Sequence, residues 1–421
     1  MRATDPGLHR DVACATRLSR LHPYPAMIAD ELAHALVHEH VPAAGRVLDP
    51  FCGSGRLLAA AEHAALRVGI DTNPLAWLLT RAKLMQPSAL IVEAVLNDID
   101  SARRIRTRRA IKPLGERQVD WFAPDVLVDL DHIVRWINRL ALPEAERLLI
   151  AAALSATVRE VSFARQSGWK LHRLDAAARA AFTTSTWDRL AKRLRYCLNE
   201  VKTARPVSGT IHVELANARS LSQADNPARS HGPYDIVLTS PPYGDSRTTV
   251  QYGAASSLCL SVVARIKGLE HLALPGSMID NSCLGGHQRN SDLDIEVKRY
   301  WAGAASKRLG RSVHAFLADY DDVCGSIALN LKPGGKAVLV LGRRSTGGFR
   351  LKLDTFTVDR FEARGFTLLS RETRDLQHKR FPRHINRFAR SCSQDDRARG
   401  LVRTMSSEII VVLQKAGTAG S

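Results

Sequence analysis

The chain has 421 residues and an apolar fraction of 45%, enough for two or three domain-sized units with ordinary hydrophobic cores. Its 60 lysine and arginine residues exceed its 42 acidic residues, and the net charge of +18 favours a polyanionic partner such as nucleic acid. The 7 cysteines form no Cys-x-x-Cys pair, which argues against a zinc ribbon or a disulfide framework. Since no apolar run reaches membrane-spanning length and no signal-peptide core is visible, we expect a cytoplasmic protein without a membrane partner. We also expect no metal partner.

Residues 1–87 predict the opening of a parallel α/β sheet. Gly53 and Gly55 separate a short strand from the helix after it, and Asp71 follows the second strand. Asn73 suits the N-cap of the next helix. Strand, glycine turn, helix, strand and acidic residue, in that order, are typical of Rossmann-like folds. The predicted elements are a helix over 27–40, a strand over 46–48, a helix over 56–65 and a strand over 67–70.

Residues 88–205 lack the strand pattern and predict helices only. The helical period of the apolar residues is clearest over 127–140 and 145–161. We interpret this stretch as a helical insertion between early strands of the sheet, and as a candidate element for recognising a nucleic acid.

Residues 206–421 return to the strand pattern. A helix over 313–331 precedes one of the later strands, and a polar, glycine-containing stretch over 276–310 predicts a mobile loop or a small recognition element. The fold class that we predict is therefore α/β, with a Rossmann-like, seven-stranded, mostly parallel sheet that a final hairpin closes. The predicted strands are 211–215, 236–238, 336–341, 366–370 and 409–413.

The glycine loop near residue 53 predicts a site for a nucleoside cofactor. Gly53 and Gly55 allow close backbone approach to a ligand, and Asp71 lies at a suitable distance along the chain to bind ribose hydroxyls. Phe51 either stacks on an adenine ring or packs in the core. No Gly-Lys-Ser or Gly-Lys-Thr follows the glycines, which excludes a phosphate-binding P-loop.

The strand that ends in Ser240-Pro241-Pro242-Tyr243 brings one hydroxyl, rigid carbonyls and an aromatic ring to one point. An exocyclic amine on a heteroaromatic ring is a poor nucleophile, because its lone pair is delocalised into the ring. The Ser240 hydroxyl and the Pro241 carbonyl can accept its two N–H groups in a preorganised geometry. Tyr243 can stack on a base that has left the duplex. The alternative is a proline-rich turn around a buried tyrosine.

With these motifs, the chain resembles the amino-group DNA methyltransferases that use S-adenosylmethionine, of the cytosine-N4 type. The resemblance implies a class I methyltransferase fold and a flipped cytosine as the target. The matching motifs are HPYPA at 22–26, DPFCGSG at 49–55, GIDTNP at 69–74, TSPPY at 239–243, LKPGG at 331–335 and MSSEII at 405–410.

The resemblance also implies a role for each matching residue. Ser240, Pro241, Pro242 and Tyr243 would hold the target amine. Asn217 stands where the family usually has an acidic residue that contacts the adenine amino group. The implied cofactor-binding residues are Tyr24, Pro25 and Ala26 beside the methionine part, Asp49, Phe51, Gly53, Ser54 and Gly55 in the pocket, Asp71 and Asn73 at the ribose, and Asn217.

The implied partner is double-stranded DNA, with a companion restriction endonuclease as a further candidate. Basic residues in the helical insertion and after the catalytic turn suit phosphate contacts, although a solvated helix face or loop would look the same. The candidate DNA-binding residues are Arg103, Arg104, Arg106, Arg108, Arg109, Arg165, Lys170 and Arg247.

Three alternatives remain open at this level. One is adenine-N6 methylation of DNA, because serine at the start of the turn is only a tendency of cytosine-N4 enzymes. Another is an RNA amino-methyltransferase, although no added RNA-binding domain is visible. The third is a basic DNA-binding protein without enzymatic activity.

Overall fold

A computed structural model describes most of the chain, and the account below is confined to that part. The described residues are 16–105, 116–166, 168–204, 208–244, 251–287, 297–302, 307–342, 345–346, 349–375, 384–386, 401–403 and 407–417.

The described residues form twelve α-helices and twelve β-strands, joined by turns and short 3-10 segments. The strands are β1 Arg46–Asp49, β2 Leu66–Asp71, β3 Thr210–Leu215, β4 Tyr234–Thr239, β5 Trp301–Ala302, β6 Leu331–Gly342, β7 Ser345–Thr346, β8 Phe349–Leu351, β9 Phe366–Asp375, β10 His384–Asn386, β11 Leu401–Arg403 and β12 Ser407–Lys415. The helices are α1 Asp30–His40, α2 Arg56–Ala60, α3 Pro74–Leu84, α4 Ala89–Arg104, α5 Pro124–Arg139, α6 Glu144–Glu160, α7 Ala176–Ala180, α8 Thr186–Thr203, α9 Gly253–Val263, α10 Gly276–Ser282, α11 Lys307–Asn330 and α12 Leu353–Glu362. None of the helices described is both long and apolar enough to cross a membrane.

Seven strands form one mixed sheet in the order β3-β2-β1-β4-β6-β12-β9. β2 runs parallel to β3, and β4 runs parallel to both β1 and β6. β12 is antiparallel to β6 on one side and to β9 on the other, so the last strand lies inside the sheet. The predicted α/β, Rossmann-like sheet of seven mostly parallel strands is confirmed, and so is the antiparallel hairpin that closes it.

The chain divides into two compact units. The helical unit comprises Met1–Ala44, Cys52–Leu215 and Val250–Asp280, and contains β2, β3 and α1 to α9. The strand unit comprises Gly45–Phe51, Ala216–Thr249 and Asn281–Ser421, and contains β1, β4, β6, β9 and β12.

In the helical unit, the described chain between β2 and β3 folds into α3 to α8 and one small hairpin, hairpin 163–174, whose described residues are 163–166 and 168–174. The residues of α6 are buried around nearly the whole helix, so the apolar period predicted over 145–161 does not mark a single buried face. α3 begins as predicted, with the Asn73 side chain accepting a hydrogen bond from the Leu75 amide at 3.0 Å.

Several predicted elements differ from the structure. α11 begins at Lys307 rather than at residue 313, β6 begins at Leu331 rather than at residue 336, and β9 extends to Asp375 rather than to residue 370. α2 ends at Ala60 rather than at residue 65, because Ala61 leaves helical geometry and the chain must turn before β2 begins at Leu66. The stretch predicted as a loop over 276–310 contains α10 and a 3-10 turn at Val297–Tyr300, while its residues 288–296 and 303–306 lie outside the described residues. Its recognition role remains a prediction.

Candidate active site

In the strand unit, the carboxyl ends of β1 and β4 lie side by side. The two strands are parallel neighbours, with Leu48 in register with Val237. β1 ends at Asp49 and β4 ends at Thr239, so the start of the glycine loop and the start of the Ser-Pro-Pro-Tyr turn leave the same edge. In open α/β sheets, ligands bind outside this edge of the strands.

A hydrogen bond joins the two strand ends directly. The Thr239 hydroxyl donates to Oδ1 of Asp49 at 2.6 Å, and the Phe51 amide donates to the same oxygen at 3.2 Å. Asp49 is 2% exposed and Thr239 is fully buried, so these bonds are shielded from water. Asp49 therefore fixes the start of the loop, at Phe51, relative to the end of β4.

The Ser240 hydroxyl has two partners in the strand unit. It lies 2.9 Å from the Tyr243 hydroxyl and donates to the Val340 carbonyl of β6 at 3.2 Å. Since a carbonyl can only accept, the Tyr243 hydroxyl must then donate to Ser240. Burial raises the pKa of Tyr243, an effect that Glu408 adds to and Ser240 opposes, so the phenol keeps the proton that it donates. One lone pair of Ser240 is left to accept a further hydrogen bond.

The rest of the turn shows a gradient of burial. Pro241 is buried, whereas Pro242 and Tyr243 are half-buried. Arg247, predicted to contact DNA, lies outside the described residues.

In the helical unit, the glycine loop continues into two residues with left-handed backbones. Gly53 has φ of 51° and Gly55 has φ of 76°. A Cβ on Gly55 would also lie 2.8 Å from the hydroxyl oxygen of Thr80, so both conformation and space require glycine there.

Asp71 holds this loop from the end of β2. One carboxylate oxygen accepts from the Gly53 amide at 3.0 Å, and the other accepts from the Asn73 amide at 2.9 Å. Burial raises the pKa of Asp71 to about 6, against the lowering effect of the amide hydrogen bonds from Asn73, Gly53 and Thr72. The carboxylate is thus ionised at neutral pH and partly protonated in mild acid.

Lys83 supports the loop from α3. Its buried ammonium donates to the Ser54 carbonyl at 2.7 Å. Burial lowers the pKa of Lys83 to about 7, with a smaller lowering by Arg56 and an opposing effect of Asp30. Sequence reasoning missed this residue, since no local pattern marks a lysine in a helix as buried.

The HPYPA motif meets the start of α3. The Asn73 side chain donates to the Tyr24 hydroxyl at 3.2 Å. The centre of the Tyr24 ring lies 5.7 Å from the ring centre of Trp169 and 6.0 Å from that of Tyr252. Pro25 is half-buried and Ala26 is exposed. The structure thus brings the predicted residues Tyr24, Asn73 and Asp71 together within the helical unit.

Asn217, in the strand unit, caps a short 3-10 turn. Its side-chain oxygen accepts from the Arg219 amide at 3.0 Å, and its side-chain nitrogen donates to the Ser282 carbonyl at 3.4 Å. Arg219 also pairs with the buried Asp319 at 2.9 Å, whose second oxygen accepts from the Gly285 amide at 2.8 Å. The sequence did not reveal the ion pair between Arg219 and Asp319.

Four of the eight candidate DNA-binding residues lie within the described chain, in two places. Arg103, at the end of α4, pairs with Asp100 and Asp188 at 3.2 Å each, and Arg104 beside it is exposed. Arg165 and Lys170 are exposed on the hairpin 163–174. Arg106, Arg108 and Arg109 lie outside the described residues.

Comparison with known proteins supports a methyltransferase. No protein-family model matches the chain. The chain is 26% identical to the Type II methyltransferase M.MvaI of Kocuria varians over 424 residues, covering 94% of this chain and 90% of that one.

The solved structures that are similar to the chain include two distant ones. TrmN from Thermus thermophilus has 13% identity and a TM-score of 0.30, covering 92% of this chain and 49% of that one. The rRNA methyltransferase aviRa from Streptomyces viridochromogenes has 13% identity and a TM-score of 0.33, covering 95% of this chain and 90% of that one. TM-scores this low support no argument about this chain, and its fold class rests on the strand order of its own sheet.

Proposed function

We propose that this chain is a site-specific DNA methyltransferase that moves a methyl group from S-adenosylmethionine to the N4 amine of a flipped cytosine. The observation that carries the proposal is the Ser-Pro-Pro-Tyr turn at the end of β4, bonded through Thr239 and Asp49 to the start of the glycine loop. Similarity to a Type II methyltransferase along almost the whole chain and a net charge of +18 support it. A companion restriction endonuclease would follow from the same similarity.

The residues present fit S-adenosylmethionine. Gly53 and Gly55 leave no side chains between the loop backbone and a ligand, and the ionised Asp71 carboxylate has acceptor capacity for ribose hydroxyls. Tyr24 would lie beside the methionine part, and Asn217 would meet the adenine. The cofactor supplies a methyl group bound to a sulfonium. When the methyl group is transferred, a neutral thioether remains, so the leaving group needs no metal ion.

Ser240 and Pro241 would activate the amine. The free lone pair of Ser240 accepts one amine N–H, and the Pro241 carbonyl accepts the other. These bonds favour a pyramidal nitrogen and return its lone pair from the ring, so that it can form the new bond to carbon. The methylated nitrogen then releases one proton to solvent water. The Tyr243 ring offers a face for the flat base, while its hydroxyl holds Ser240 in place.

The product identifies the reaction. The protein is incubated with methyl-labelled S-adenosylmethionine and either duplex DNA or RNA. The nucleic acid is digested, and the masses of its nucleosides are measured by mass spectrometry. We expect labelled N4-methylcytosine in one short sequence context. Labelled N6-methyladenine would reassign the base, label in RNA alone would reassign the substrate, and cofactor binding without any transfer would refute the enzymatic role.

A further inference from the structure

The hairpin 163–174 in the helical unit is a cationic element without carboxylates. Its sequence contains Arg165, Lys170 and Arg173 and no aspartate or glutamate. Arg165 and Lys170 are exposed, and no acidic group of the described chain lies within ion-pair distance of either. Arg173 lies 3.9 Å from the Asp120 carboxylate, too far for a strong ion pair, and donates to the Asp120 carbonyl at 3.4 Å. The charge of the hairpin is therefore available to a partner.

The hairpin has a defined backbone. An isolated bridge joins Ala164 to Arg173. The Arg165 amide donates to the His172 carbonyl at 2.8 Å, and the Leu174 amide donates to the Phe163 carbonyl at 2.8 Å. These bonds fix the spacing of the two segments at the base of the hairpin; Arg165 lies on the first segment, and Lys170 lies in the loop between the two.

A buried arginine on α6 clamps the tip of the hairpin. Arg159 is 2% exposed, and its guanidinium lies 5.0 Å from the centre of the Trp169 ring and donates to the Gly168 carbonyl. The Gln166 side chain donates back to the Arg159 carbonyl at 3.0 Å. A buried cation is unfavourable unless such contacts offset its desolvation, and here they bind it to the hairpin.

We propose that the hairpin 163–174 is a preformed contact for the DNA backbone, with Arg165 and Lys170 each on a phosphate. Because the clamp orders the backbone of the loop in advance, less backbone conformational entropy is lost on binding. Phosphate contacts of this kind set position and affinity rather than base choice. The inference depends on the proposed function, since it assigns a surface to the DNA that the reaction requires.

The test is the salt dependence of binding to duplex DNA. The affinity of the wild-type protein and of a double variant, Arg165→Ala with Lys170→Ala, is measured by fluorescence anisotropy between about 50 and 300 mM salt. Two lost phosphate contacts should reduce the slope of log affinity against log salt by about 2, and the affinity at low salt by tenfold or more. An unchanged slope would overturn the proposal.

A matched control removes the same charge elsewhere in the helical unit. Lys192→Ala with Arg195→Ala changes two exposed cations of α8 for which no ion pair occurs in the described part of the chain. We expect the wild-type slope in this variant. An equal loss in both double variants would show that only net charge matters, and would also overturn the proposal.

Two further outcomes separate this inference from the proposed function. A wild-type protein that methylates DNA, with an unchanged slope in the hairpin variant, removes the hairpin assignment alone. A wild-type protein that shows no salt-dependent binding to DNA removes both. Tighter binding to duplex RNA than to DNA, with the same loss in the hairpin variant, would replace DNA as the partner.

Discussion

The edge formed by β1 and β4 and the hairpin 163–174 contrast in how their polar side chains are satisfied. At the edge, Thr239 and Asp49 bond to each other out of contact with water. On the hairpin, Arg165 and Lys170 are exposed, and only the clamp beneath them is buried. Directional bonds in a buried site fix geometry, whereas exposed charges act additively and are screened by salt. Substitutions at the edge should therefore have severe effects that do not depend on salt. Substitutions on basic surfaces should have modest effects that depend on salt.

Ser240→Ala should have the largest effect of the predicted changes. It removes the acceptor for the target amine, and we expect methyl transfer to slow by about 100-fold or more while the cofactor still binds. Single-turnover rates and calorimetry measure the two properties separately. Ser230→Ala, in which an exposed serine loses a local bond to the Pro227 carbonyl, is the control and should be fully active. Normal turnover of the Ser240 variant would contradict the assigned role.

Thr239→Val should come next, because it leaves Asp49 buried with one bond fewer. We expect a loss of about 1 to 3 kcal/mol in the free energy of unfolding and slower methyl transfer. Denaturant melts and turnover rates give both quantities. Thr239→Ser keeps the hydroxyl and should restore the rate, so equal defects in the serine and valine variants would show that packing, not the bond, matters.

Mild acid should weaken cofactor binding. The pKa of Asp71 is raised to about 6, so its carboxylate is ionised above that pH and gains a proton as the pH falls through it. If the ionised form binds ribose hydroxyls, affinity is retained at pH 7 to 8 and falls by up to about tenfold per unit below 6. Calorimetry across this range measures it. Asp71→Asn should bind weakly at every pH, and a wild-type affinity that is level from pH 8 to 5 would refute the assignment.

Arg104→Ala should have the smallest effect. Arg104 is exposed at the end of α4, so stability should change by less than about 0.5 kcal/mol. We expect DNA affinity to fall a few-fold at low salt and the difference to shrink as salt rises. Thermal melts and anisotropy titrations test both. A loss of affinity that persists at high salt would show that Arg104 makes a directional bond rather than a contact that salt screens.

The sequence predicted those features that local chemistry determines. A turn and a helix start are marked by the conformational preferences of Gly53, Gly55 and Asn73. The strands on either side of them were predicted correctly from their apolar runs. The bonds that organise the site depend instead on distant register. Thr239 and Asp49 are 190 residues apart, and Ser240 lies 100 residues from Val340. No periodicity in either segment indicates such a partner. The buried state of Lys83 and Arg159 was hidden for the same reason.

The position of β12 has a consequence for how the strand unit is made. β6 and β9 have no direct pairing with each other, because residues Ser407–Lys415 occupy the space between them. During synthesis, β6 and β9 must therefore wait for this segment to leave the ribosome before their facing backbone groups are paired. Val340, whose carbonyl accepts the hydrogen bond from the Ser240 hydroxyl, lies on β6 opposite Ile410. A nascent chain cut short before residue 407 would thus present an open strand edge to its neighbours, and would aggregate rather than act as a slow enzyme.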